Sequence, residues 1–203
     1  MKKVFGLTLA TLLVALGGAA AQAQELSKAD RDRALAYLET TKKNIVEATR
    51  GLSEAQWNVK PSPFKWSVAQ VMEHIAASED YIRGIIENQV MKAPPAPDRD
   101  LREIDSAVLA RVPDRSITAQ APGPLRPTNR FATPEAALKH FLESRAKTEE
   151  LLKNTPDLRA HAVDSQLAKK LDAYEFILVI AAHSERRTKQ LLEVKANASF
   201  PKK

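Results

Sequence analysis

The 203-residue sequence contains four histidines and no cysteine, so any chemistry that needs a soft donor falls to imidazole. Without cysteine there is no thiolate ligand, no thiol nucleophile and no disulfide framework. Two histidines stand where helical spacing directs them inward. His74 borders an apolar stripe near Tyr81 and Ile85. His183 shares a helix side with Phe176, Ile180 and Val194, and Arg187 follows one turn later on that side. Helical bundles build metal and ligand sites from inward side chains of this kind on facing helices. Arg187 adds a rigid fork of donors suited to a carboxylate or phosphate. Plainer readings stand beside these. A histidine bordering an apolar face is also what a hydrogen-bonded core residue looks like, and Arg187 has a carboxylate candidate partner in Glu79. His140 points away from the Leu138, Phe141 and Leu142 face and reads as solvated, as do Glu73 and Glu185. His161 falls in a connector and reads as a surface residue. No Ser, Thr or Tyr stands in a recognisable base-paired arrangement, so no nucleophile is indicated.

Four helical blocks must position these groups. The first runs from about Ser27 to Arg50, with Ser27 and Asp30 at its start and Gly51 as its stop. The second opens on Ser67 and Gln70, a capping-box pair, with Trp66 and Val71 at staple spacing; Val68, Val71, Met72, Ile75, Ile82 and Ile86 form its apolar face. The third has Thr133 as cap and Pro134 at the first helical position, and it ends before Pro156. The fourth spans about Leu171 to Ala198 and begins with a run that is apolar all round, as in a helix buried on several sides. Between blocks two and three, residues 93–130 hold seven of the twelve prolines, so no long helix survives there. A short turn over Leu101–Arg111 interrupts this crossing. No strand-period stretch of useful length is visible. The fold class is all-α, a four-helix bundle with a long proline-rich crossover.

The first residues read as a leader. Lys2 and Lys3 precede an apolar run from Val4 to Leu16, and Ala21-Gln22-Ala23 places small residues where a signal peptidase cuts. An uncleaved anchor is the competing reading, because the run is close to the shortest that spans a bilayer. Cleavage after 1–23 leaves residues 24–203 as one domain, exported to the periplasm or secreted, with no membrane attachment. Loss of two lysines takes the balance from 31 basic and 25 acidic residues, net +6, to net +4. That charge is too mild and scattered for nucleic acid, which wants a clustered basic stripe.

Trp66-Ser67 opening a helix, then Val71-Met72-Glu73-His74-Ile75-Ala76, then Leu171-Asp172-Ala173-Tyr174-Glu175-Phe176 leading into Ala182-His183-Ser184-Glu185-Arg186-Arg187-Thr188-Lys189-Gln190, resembles the DinB-like superfamily over about Leu26 to Lys195. The resemblance implies an up-up-down-down bundle and a divalent metal held by one histidine on helix two and an H-x-x-x-H pair on helix four. Relatives include thiol-dependent transferases and maleylpyruvate isomerase-like enzymes. By that carry-over His74 and His183 match the first two ligands of a zinc, nickel or manganese ion, and Arg187 stands at the third. A guanidinium keeps its proton and ligates no metal. The expectations are therefore a metal-dependent transferase or hydrolase with an incomplete site, or a metal-free periplasmic module without catalysis, either binding a small anion through Arg187 or stress-related. A third is an interaction protein that dimerises through exposed helix faces. Any thiol in a transfer reaction would arrive as a co-substrate, and the ligand itself is not readable.

Overall fold

The computed structural model describes residues 25–202, so the expected leader at 1–23 lies outside the described residues. The four long helices form where their caps and apolar spacing place them. Helix α1 is Lys28–Thr49, started by the Ser27 side chain accepting from the Asp30 amide and ended at Gly51, whose φ of 63° is the left-handed stop that glycine adopts freely. Helix α2, Glu54–Asn58, is a short addition after Ser53 and Gln56, which form the same reciprocal capping box as Ser67 and Gln70 at the head of α3, Val68–Asn88. Helix α4 is Leu101–Arg111, α5 is Pro134–Asn154 behind the Thr133 cap, and α6 is Ala173–Lys195.

The start of α6 and the expected absence of strands both need correction. Asp172 and Glu175 close a capping box, so α6 begins at Ala173, and Leu171 belongs to a hairpin. That hairpin pairs β1, Ala162–Asp164, with β2, Lys170–Asp172, in antiparallel register with Val163 opposite Leu171. Three-residue strands are too short to leave a period-2 signature.

Helix α3 packs on α5 and α6, α1 on α6 and α5, and α4 on α6. Helix α6 is thus the central element. From Ala173 to Ala182 every residue of α6 is buried, as its all-round apolar run requires. The core divides into two clusters. One gathers Leu38, Ile86, Val108, Leu158, Tyr174 and Ile177; the other gathers Ile45, Trp57, Met72, Ile75, Phe141 and Leu191. Each fully buried aliphatic or aromatic side chain of this kind contributes roughly 1.5–3 kcal/mol.

The proline-rich crossing is ordered by what it touches. Its start is tied to the α5–α6 connector by an Ala96 amide donating to the Ala160 carbonyl at 3.0 Å and by a bridge between Pro95 and His161. His161 is therefore partly buried rather than a surface residue, and its Nδ1 is buried with no partner among the described residues. The end of the crossing is tied to α3 by Glu73. Its carboxylate accepts from the amides of Thr128 at 2.7 Å, Asn129 at 3.1 Å and Arg130 at 3.4 Å, and from Arg130 Nε at 2.9 Å. Glu73 is thus a buried anchor, not a solvated charge, and those donors hold its carboxyl below the usual range against the opposing effect of burial.

Candidate functional site

The fold brings His74 of α3 and His183 of α6 together. Their Nε2 atoms are 3.0 Å apart and their rings meet edge-on with centroids 5.0 Å apart. His74 is 1% exposed, and its Nδ1 lies 2.8 Å from the Leu125 carbonyl at the end of the crossing. A carbonyl only accepts, so Nδ1 carries the proton and His74 Nε2 presents a lone pair to His183. Arg187 meets the same atom from one turn along α6, its Nε 3.1 Å from His183 Nε2. These two contacts compete. If His183 Nε2 is protonated it donates to His74 and has no lone pair for Arg187. If it accepts from Arg187, two imidazole lone pairs face each other. Both rings are kept neutral. Burial, then the Arg187 charge, pulls His74 down to about 4, and burial, then His74 and Arg187, pulls His183 well below its ordinary value.

Arg187 is 8% exposed and has no carboxylate within ion-pair distance among the described residues. Glu79, the expected partner, is taken by Arg145 instead through two contacts, Nε to Oε1 at 2.8 Å and Nη2 to Oε2 at 2.9 Å. Arg187 is held by neutral groups only: His183, the Gln190 side chain at 2.7 Å, and the Trp66 ring, whose centroid lies 5.5 Å from the guanidinium carbon. Burial, then Arg186 and Arg115, lowers its pKa to about 10, which still leaves it charged at neutral pH.

Trp66, Arg187 and Gln190 face a cleft of about 590 Å³ whose walls also include Phe64, Lys65, Arg115, Ile117, Arg126 and Arg186. Among the described residues five cations and no carboxylate line it. Arg115 alone of the five has an acidic partner, Glu193, at 2.9 and 2.6 Å. Arg186 donates to the carbonyls of Asp114 and Ile117. The histidines do not line this cleft; they sit behind Arg187 and Trp66. Larger grooves of about 920 and 870 Å³ run beside α4, but acidic residues such as Asp98 and Asp100 accompany their arginines.

A metal held by three protein ligands does not fit this donor set. The third position is a guanidinium already donating toward His183, and no cluster of three or more His, Asp or Glu side chains among the described residues is placed to hold a cation. A separation of 3.0 Å is that of a direct N–H···N contact. Two imidazoles sharing a tetrahedral ion at about 2.1 Å would stand about 3.4 Å apart.

Other expected residues fall differently. His140 is not free in solvent but bonds Asp80 at 2.5 Å, and Asp80 in turn takes Ser144 and Arg83. Glu185 accepts from the Tyr37 hydroxyl at 2.6 Å and pairs with Lys189, so it too is engaged. Sequence reasoning missed Leu125 and the crossing as site components, because a proline-rich segment carries no periodic signal of where it lies, and Gln190, although its i,i+3 spacing from Arg187 on α6 was a usable signal.

The model of the DinB superfamily matches residues 37–191, about three quarters of the chain. The chain belongs to the DinB superfamily. An uncharacterized protein of Bacillus subtilis strain 168, YuaE, is 25% identical over 150 residues, covering 72% of this chain and 87% of the relative. Among solved structures it is similar to YfiT from Bacillus subtilis, described as a probable metal-dependent hydrolase with an unusual four-helix bundle topology; the TM-score is 0.56 at 16% identity, covering 87% of this chain and 91% of that one. That likeness agrees with the helical bundle described above. No helix among the described residues is long and apolar enough to cross a membrane.

Proposed function

We propose that this DinB-superfamily protein is exported and binds a small anionic molecule in the cation-lined cleft, without a metal, using Arg187 as its fixed positive charge and His183 to hold that charge in place. The observation that carries this reading is the buried guanidinium with no carboxylate. A buried charge normally has a partner; Arg99, Arg145 and Arg159 each take a carboxylate, whereas Arg187 and its neighbour Arg186, which donates to two carbonyls, take none among the described residues. An anion from solution would complete the pattern. Thermal unfolding with carboxylates and phosphates tests it. A ligand at 100 times its Kd adds about 2.7 kcal/mol, roughly 5–10 °C for a domain of this size. If no anion stabilises the wild type more than Arg187→Ala, the reading fails. Export rests on Lys2, Lys3 and the Val4–Leu16 run, and N-terminal sequencing of the protein from the periplasm should begin at Gln24.

A second reading is favoured by one geometric fact, the facing Nε2 atoms, and the family comparison leans toward it. Here the protein is a divalent-metal-dependent transferase or hydrolase whose centre is incomplete, with His74 and His183 as its protein ligands. Elemental analysis separates the two. Stoichiometric zinc, nickel or manganese in the wild type, lost in His74→Ala, replaces the first reading with the second. A metal-free wild type and metal uptake by Arg187→His mark a superfamily site converted from a metal to an arginine.

A further inference from the structure

The cleft is not uniformly polar: it joins two buried guanidiniums to an outer wall that mixes apolar side chains with exposed cations. Arg187 and Arg186 are buried at one side, 8% and 6% exposed. Trp66 stands over Arg187 with its ring centroid 5.5 Å from the guanidinium carbon, so the charge is roofed by an apolar face. Farther out, the walls carry Phe64, 95% exposed, and Ile117, 40% exposed. Two large apolar side chains thus stand on the wall of the same cleft. Phe64 lies just ahead of a capped helix. It sits between Pro63 and the Lys65-Trp66-Ser67 lead into α3, whose capping box fixes the backbone just beyond it. The volume of about 590 Å³ is that of a site for an organic molecule, several times what a bare inorganic anion needs.

We propose that the ligand is an amphipathic organic anion: a carboxylate or phosphate head on Arg187, and an apolar body that leaves past Trp66 and is covered by Phe64 and Ile117 at the rim. This rests on the anion reading above and adds the tail. Arg187 Nη2 makes no hydrogen bond within the protein among the described residues, and it is the donor left for the head group. The remaining cations of the cleft disfavour a cationic amphiphile.

Isothermal titration of the full exported chain with acetate, hexanoate, octanoate, octyl phosphate, octanol and octyltrimethylammonium, all as monomers, tests the proposal. Each methylene buried against the rim should tighten binding up to about fourfold, so octanoate is expected to bind at least tenfold more tightly than acetate. Octanol and octyltrimethylammonium should bind at least tenfold more weakly than octanoate. Octyl phosphate against octanoate identifies the head. Phe64→Ser, at a fully exposed side chain that the fold does not need, should weaken octanoate about fivefold and leave acetate unchanged. Equal affinity for acetate and octanoate, or octanoate binding indifferent to Phe64→Ser, overturns the amphipathic ligand while leaving the anion reading intact. Failure of every anion overturns both. Octanol binding as tightly as octanoate overturns both as well, since the head would then contribute nothing.

Discussion

Helix α6 carries buried cations against it at three levels, and the protein treats them in two ways. At its N-terminus Arg99 and Arg159 meet Asp172, Glu175 and Asp105, a group of two positive and three negative charges closed on itself. At mid-length Arg145, 0% exposed, is held by both oxygens of Glu79 and by Ser184. One turn beyond, Arg186 and Arg187 receive only carbonyls, an amide, an imidazole and an aromatic face. The first two levels are finished by the chain itself and read as architecture. The third is left electrically open beside a cleft, and that difference separates a structural arginine from one kept for a ligand.

The contrast can be broken by mutation. Glu79→Gln strands Arg145 in the core and should cost about 3–5 kcal/mol, a fall in Tm of roughly 10 °C or more by calorimetry. Arg187→Gln should leave the ligand-free stability unchanged or raise it slightly, by about 1 kcal/mol, because it removes a charge that nothing neutralises. If its Tm instead falls as far as that of Glu79→Gln, the two levels are alike and the contrast collapses.

The levels also respond oppositely to pH. His74 is held near 4 in the fold against an ordinary 6.5, so the unfolded chain binds more protons between those values and stability is lost as pH falls through them. Glu175, raised to about 7 from 4.5 by burial and then by Asp172, holds its proton longer in the fold, so its contribution is present below about 4.5 and is lost as pH rises toward 7. Urea unfolding from pH 4.5 to 7 should therefore show a flatter acid loss in His74→Gln and a steeper one in Glu175→Gln; the same slope change in both would remove the distinction. A smaller loss than that of Glu79→Gln is expected for Glu73→Gln, which weakens four contacts to the crossing. Faster amide exchange at Thr128, Asn129 and Arg130, with a stability loss of about 1–2 kcal/mol, should report it.

Much of the framework is legible in the sequence because it is written in local chemistry. Ser67 with Gln70, Thr133 with Pro134, and the stop at Gly51 set helix ends within a residue or two of those observed. The inward placement of His74 and His183 follows from helical period alone. What periodicity cannot say is which long-range partner a polar side chain finds. Glu73 lies off the histidine side of α3, which marked it as solvated, yet that side faces the crossing. Glu79 is near enough in pattern to serve either Arg145 or Arg187, and only packing decides for the former. The hairpin before α6 escaped because its strands have three residues each.

The crossing is fastened at both ends of its cleft-facing part: Arg186 grips the carbonyls of Asp114 and Ile117, and His74 with Glu73 grips Leu125 and Thr128 to Arg130. Between these clasps, residues 118–121 border the cleft, and none of them belongs to the core. Such a stretch behaves as an exchangeable panel. Relatives and engineered libraries that vary it while keeping the clasps would retune which molecule the cleft admits with little demand on the stability of the bundle, so diversification of ligand preference should concentrate in those four positions.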